Sequence, residues 1–62
     1  MFLKIEIESQ NAPFDGYADE ETARILRALA DKIEHGHDYT QPRIIRDTNG
    51  NDVGRIIYNP DA

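Results

Sequence analysis

Apolar and polar residues alternate through FLKIEIE, residues 2–8, with Leu3, Ile5 and Ile7 on one side and Lys4, Glu6 and Glu8 on the other. A period of two with β-branched residues predicts a half-buried strand. Charges on the outer side discourage stray pairing along an exposed edge. From residue 18 the period changes. In ADEETARILRALADKIEH, Thr22, Ile25, Leu26, Leu29, Ala30 and Ile33 recur at helical spacing, while Arg24, Arg27, Asp31 and Glu34 take the other side. This predicts an amphipathic helix over 18–35. Asp19 is a candidate N-cap, and Glu20 and Glu21 suit the positive end of the helix dipole. Glu20 can pair with Arg24 one turn on. Gly36 is placed to end the helix in a left-handed conformation.

The segments between are punctuated by turn formers. Residues 9–17, SQNAPFDGY, read as a loop, because Pro13 breaks any ladder and Asp15-Gly16 signals a turn. Phe14 and Tyr17 are expected to close one end of the core, with binding anchors as the alternative role. Residues 37–42 connect to a strand whose entrance suits Pro42. Residues 43–58 then read as strand, turn, strand around RDTNGNDVGR. A two-residue turn on Asn49-Gly50 would set Val53 opposite Arg46. A type I turn beginning at Asp47, with a G1 bulge at Gly50, sets Asp47 opposite Asn51 and Ile45 opposite Val53. The second matches the apolar positions and is preferred. Asp47 can also accept bonds from the turn's own amides.

The order strand, helix, strand, strand predicts a two-layer α+β domain over 1–62, with one helix on a three-stranded, mainly antiparallel sheet. Putting the last strand in the middle makes every neighbour antiparallel. In this arrangement Ile45, Val53 and Ile57 pack under the helix. Ile44, Ile56 and Tyr58 project from the opposite face, and a contiguous apolar patch on so small a domain predicts an interface.

Size sharpens that expectation. A chain of 62 residues buries only about 60% of its unfolded surface. It has no cysteine, which excludes disulfides and thiolate zinc sites. A partner subunit is the remaining support, and a symmetric homodimer joined through the sheets is expected. The N-terminus has no signal-peptide h-region, and no apolar run approaches the roughly 20 residues that span a bilayer. A soluble, cytoplasmic protein is expected, with no membrane partner. Met1 leads directly into the first strand, as in a complete small open reading frame.

The net charge is −5, and nine of the twelve acids against four of the seven bases lie in residues 1–42. Such a surface repels nucleic acid and suits a basic protein partner. Several motifs bear on chemistry. D-T-N-G-N-D has Gly50 at the fourth position and Tyr58 at the twelfth, so it lacks the glycine and glutamate of a calcium loop. His35-Gly36-His37-Asp38 offers zinc ligands, but the glycine turns the chain between them, and a histidine at a helix C-terminus suits the dipole. No metal or other cofactor is assigned. The sole serine, Ser9, lies in no nucleophile motif, there is no glycine-rich phosphate loop, and one helix on three strands hardly forms a pocket. No catalysis is expected. Arg43, Arg46 and Arg55, with Tyr39 or Tyr58 for stacking, define an alternative: a small nucleic-acid-binding regulator.

"NAPF", "ARILRALADKIEHG" and "IRDTNGNDVG" together resemble a group of very short proteins encoded by bacteriophages and prophages. In that group an N-A-x-F loop, a helix with R-x-L and L-A-D, and a D-x-N-G-N-x-V-G hairpin recur. The resemblance covers most of residues 10–55. It departs where such proteins often have an aromatic soon after V-G; here Ile56-Ile57 precede Tyr58. It implies no catalytic residues. It implies a phage accessory protein, and small acidic phage proteins are often inhibitors of host defence. The functional expectation is therefore a non-enzymatic protein that binds a host protein in the host cytoplasm, as an anti-CRISPR or other anti-defence inhibitor does. Its binding residues are expected to be Glu20, Glu21, Asp31 and Glu34 on the helix, with Glu6 and Glu8 as an alternative acidic surface, and Ile44, Ile56 and Tyr58 on the sheet. A virion assembly protein is a further alternative.

Overall fold

A computed structural model describes residues 1–9 and 16–62. Strand β1 is Phe2–Ile7, helix α1 is Ala18–Glu34, β2 is Arg43–Arg46 and β3 is Asp52–Asn59. The strands form one sheet in the order β1-β3-β2. Both pairings are antiparallel. The fold is thus α+β, with the last strand in the middle, the placement that makes every neighbour antiparallel. Phe14 lies outside the described residues, and Tyr17 is exposed rather than folded over the core.

The helix starts one residue after Tyr17, whose side chain makes no capping bond, so Asp19 lies in the first turn instead of capping it. Asp19, Glu20 and Glu21 still place negative charge at the end where the unpaired amides point. The C-terminus closes as expected. Gly36 has φ +84°. Its N–H donates to the Ile33 carbonyl at 3.1 Å, and the His37 N–H donates to the Lys32 carbonyl at 3.0 Å. This is the Schellman arrangement, which satisfies carbonyls that the helix cannot.

The core is Ile25, Leu29, Tyr39, Ile45, Val53 and Ile56, with Ile5, Ile7, Ile33 and Tyr58 packed against it. The helix's buried line is Glu21, Ile25 and Leu29, so Leu26 and Ala30 fall on its exposed flank, contrary to the periodicity reading. Tyr39 was a candidate for base stacking. It is instead buried in the connector before β2, and its carbonyl accepts from the Tyr58 N–H at 2.8 Å.

The hairpin carries both a confirmation and a correction. The Gly50 N–H donates to the Asp47 carbonyl, and the Asp47 N–H to the Asn51 carbonyl, each at 3.0 Å. Gly50 has φ +82°. The turn is the bulged one. A second irregularity follows, however. Ile45 pairs with Gly54 and Arg46 with Asp52, leaving Val53 as an extra residue in β3. A bulge of this kind resets the alternation. Val53 points into the core, and so does Ile56, which is 1% exposed; Ile57 does not. Strict alternation from Val53 had put Ile57 inside and Ile56 outside. Tyr58, in phase with Ile56, is half-buried against the core. Ile44 alone of the expected outer patch remains on the surface.

Gly54 is required where β3 runs close against β1. A Cβ there would lie 1.8 Å from the backbone oxygen of Glu6 in β1. Only glycine allows the backbones to approach so closely.

Candidate functional site

The expected binding acids separate into two kinds. Glu21 is buried, and its carboxylate is fully engaged. Arg24, one turn on, reaches it with two parallel bonds: Nε to Oε1 at 2.6 Å and the second guanidinium nitrogen to Oε2 at 3.0 Å. From the hairpin tip, the Thr48 N–H donates to Oε2 at 2.9 Å and the Thr48 hydroxyl reaches both oxygens at 3.1 Å. Arg24 thus pairs with Glu21, not with Glu20 as expected. The Arg24 bonds are the main reason that the Glu21 carboxyl is lowered from an ordinary 4.5 to about 2; burial opposes the change and Thr48 reinforces it. Glu21 fastens the first turn of α1 to the β2–β3 turn and is not available to a partner.

Asp47 is the second buried carboxylate. It accepts from the Asn49 and Asn51 amides at 2.8 and 2.9 Å and from the Asn51 side chain at 3.0 Å. Burial opposes its ionisation, but these bonds outweigh burial and hold its carboxyl below the usual range. Sequence reasoning found Asp47's role in the turn. It missed Thr48, because nothing local marks a hydroxyl that bonds to a helix 27 residues away.

Glu20, Asp31 and Glu34 are exposed. At 3.6 residues per turn, positions eleven and fourteen residues apart return to within about 40° of one another. The three acids therefore share one side of α1, with Arg27 between them. Asp31 also approaches the His35 ring at 3.4 Å. On the outer face of the sheet, Lys4 and Glu6 form an exposed ion pair at 3.0 Å. An open depression beside them is lined by Lys4, Glu6, Pro42, Arg55, Ile56 and Ile57.

Two of the three hairpin arginines are engaged locally. Arg55 pairs with Asp52 at 2.9 Å, and Arg46 donates to the Gly50 carbonyl at 3.1 Å. Of the two tyrosines expected to stack on bases, Tyr39 lies in the core and Tyr58 is half-buried. The two histidines do not converge. His35 Nδ1 is bonded to the Asp31 carbonyl at 2.8 Å and His37 Nδ1 to the Lys32 carbonyl at 3.1 Å. A carbonyl only accepts, so Nδ1 carries the proton in each ring. Among the described residues, no group of three or more His, Asp or Glu side chains is arranged to hold a metal ion.

No family model matches the chain, and neither a curated protein nor a solved structure matches it. Among the described residues no helix is long and apolar enough to cross a membrane.

Proposed function

We propose that the protein is a non-enzymatic accessory protein of a bacteriophage that acts by binding a host protein, with the outward side of α1 laid against a basic surface. The observation that supports this reading is the division among the helix acids. Glu21 is consumed by the fold, whereas Glu20, Asp31 and Glu34 are exposed, spaced along the side of α1 away from the sheet. Three exposed carboxylates on a chain of net charge −5 attract and orient a basic partner more than they bind it tightly. Ile44, 47% exposed, adds an apolar contact elsewhere on the surface. An anti-defence inhibitor, anti-CRISPR proteins included, is the kind of phage protein that this reading favours, its mechanism being occlusion.

The test is an affinity pull-down from host lysate, comparing the wild type with a variant carrying Glu20→Lys, Asp31→Lys and Glu34→Lys. Circular dichroism should show both folded. The proposal expects a host protein held by the wild type and lost from the variant, with retention weakening as salt rises. Equal capture by both proteins overturns the helix surface. Salt-sensitive retention of nucleic acid, or co-purification with capsids or tails, overturns the host-protein reading.

A further inference from the structure

β1 ends the sheet, and among the described residues no strand lies on its other side. In an antiparallel pair, successive residues direct their N–H and C=O groups alternately to the two sides. The Glu8 N–H donates to the Val53 carbonyl at 2.8 Å. Phe2, Lys4 and Glu6, in phase with Glu8, therefore direct their backbone groups to β3. Leu3, Ile5 and Ile7 direct theirs to the open edge. An edge of six residues that no described strand covers is an invitation to another strand.

We propose that this edge pairs with the same edge of a second copy, about a two-fold axis through Ile5, to give a continuous six-stranded antiparallel sheet. The occupant is identified by charge and symmetry. Only residues that both point outward can exchange bonds, so a symmetric dimer must centre its axis on one residue and its own copy. Centring on Lys4 sets lysine against lysine. Centring on Glu6 sets glutamate against glutamate. Centring on Ile5 sets each Lys4 opposite the partner copy's residue 6 and each Leu3 opposite residue 7, with no like charges facing. Each outward pair, 3 with 7 and 5 with 5, then exchanges both of its bonds. Lys4, already 3.0 Å from its own Glu6, would lie between two glutamates.

The apolar side fits the same register. Leu3 pairs with Tyr58 and so lies on the helix side of the sheet, yet it is 47% exposed. In the dimer it packs against residue 7 of the other copy. An axis perpendicular to the sheet leaves both helices on one face and their acidic sides outward. This is an edge-to-edge dimer, where the uncovered-face argument had expected the sheets to stack. The other edge is less suited to self-pairing: β2 has four residues and begins and ends with arginine.

The experiment is sedimentation equilibrium on the full chain, with native mass spectrometry of mixtures. The wild type is expected to be a dimer. Lys4→Glu and Glu6→Lys should each weaken dimerisation by about tenfold or more, since each turns two opposite-charge cross-strand pairs into like-charge ones. Mixed together, the two variants should form a heterodimer, because every facing pair becomes complementary again while the ion pair within each chain stays broken. A wild type that is monomeric at every attainable concentration overturns the proposal. So does a dimer indifferent to the single reversals, or a mixture that does not associate. Should a reversal unfold the chain by circular dichroism, synthetic protein N-methylated at Ile5 decides. That change removes a donor directed away from β3, so a folded monomer is expected and a dimer overturns the proposal.

Discussion

Glu21 releases its proton far more readily than an ordinary glutamate because Arg24 and Thr48 bind its ionised form. Its folded value of about 2 lies below the ordinary 4.5, so the linked stability is fully present above pH 4.5 and is lost as pH falls toward 2. Melting temperature should fall through that window. Glu21→Gln should lower it at neutral pH and flatten the acid limb, although Asp47, also lowered, keeps some slope. An acid limb unchanged by Glu21→Gln would show that Glu21's bonds do not hold the helix to the turn. Two glycines make a second contrast. Gly50→Ala must hold a left-handed φ in open space and should cost about 1–2 kcal/mol. Gly54→Ala meets the Glu6 backbone at 1.8 Å and should cost more, about 3 kcal/mol or above, among the severe single substitutions. Denaturant midpoints of the two variants would rank them.

On the scale of elements, the helix buries Leu29 and leaves Leu26, 44% exposed, on its flank. Leu29→Ala should cost about 2–5 kcal/mol. Leu26→Ala should fall within about 0.5 kcal/mol of the wild type. Equal losses in urea unfolding would mean that the helix packs on a different line. The same pair shows how far periodicity carries. The existence, order and type of all four elements were legible, because alternation in FLKIEIE, helical spacing in 18–35 and the turn formers at 47–50 are local signals. So was Asp47's role within its own turn. What escaped was set by contacts distant in sequence. Leu26 and Glu21 differ from expectation because the helix is rotated to bring Glu21 to Thr48, and an acid at a helix start otherwise reads as solvated. Ile56 and Ile57 exchanged sides because one extra residue sits opposite Ile45.

For the whole molecule, that exchange changes what a surface mutation is. Ile56→Glu, on the uncovered-face argument, would test an interface. With Ile56 1% exposed, it should unfold the chain, because the buried carboxylate has no partner there. Ile44→Glu should leave the far-ultraviolet spectrum and the melting temperature nearly unchanged. A folded Ile56→Glu protein would place the core elsewhere. A domain this small has little stability in reserve. Two buried carboxylates tied to the hairpin, and an edge suited to a second copy, are the supports that the fold offers in place of disulfides.

The extra residue in β3 also has a genetic consequence. Deleting one codon inside a strand normally turns every later side chain to the wrong face. At Val53 it should not. Removing this residue brings Asp52 next to Gly54, and the pairs Ile45 with Gly54, Arg46 with Asp52 and Asp47 with Asn51 then follow one another without a gap. Ile56 and Tyr58 keep their partners in β1. The deletion removes one core side chain and the carbonyl that accepts from the Glu8 N–H, at a cost nearer a truncation than a frame error. Codon deletions at Arg55 or Ile57, only two and four positions on, should abolish folding.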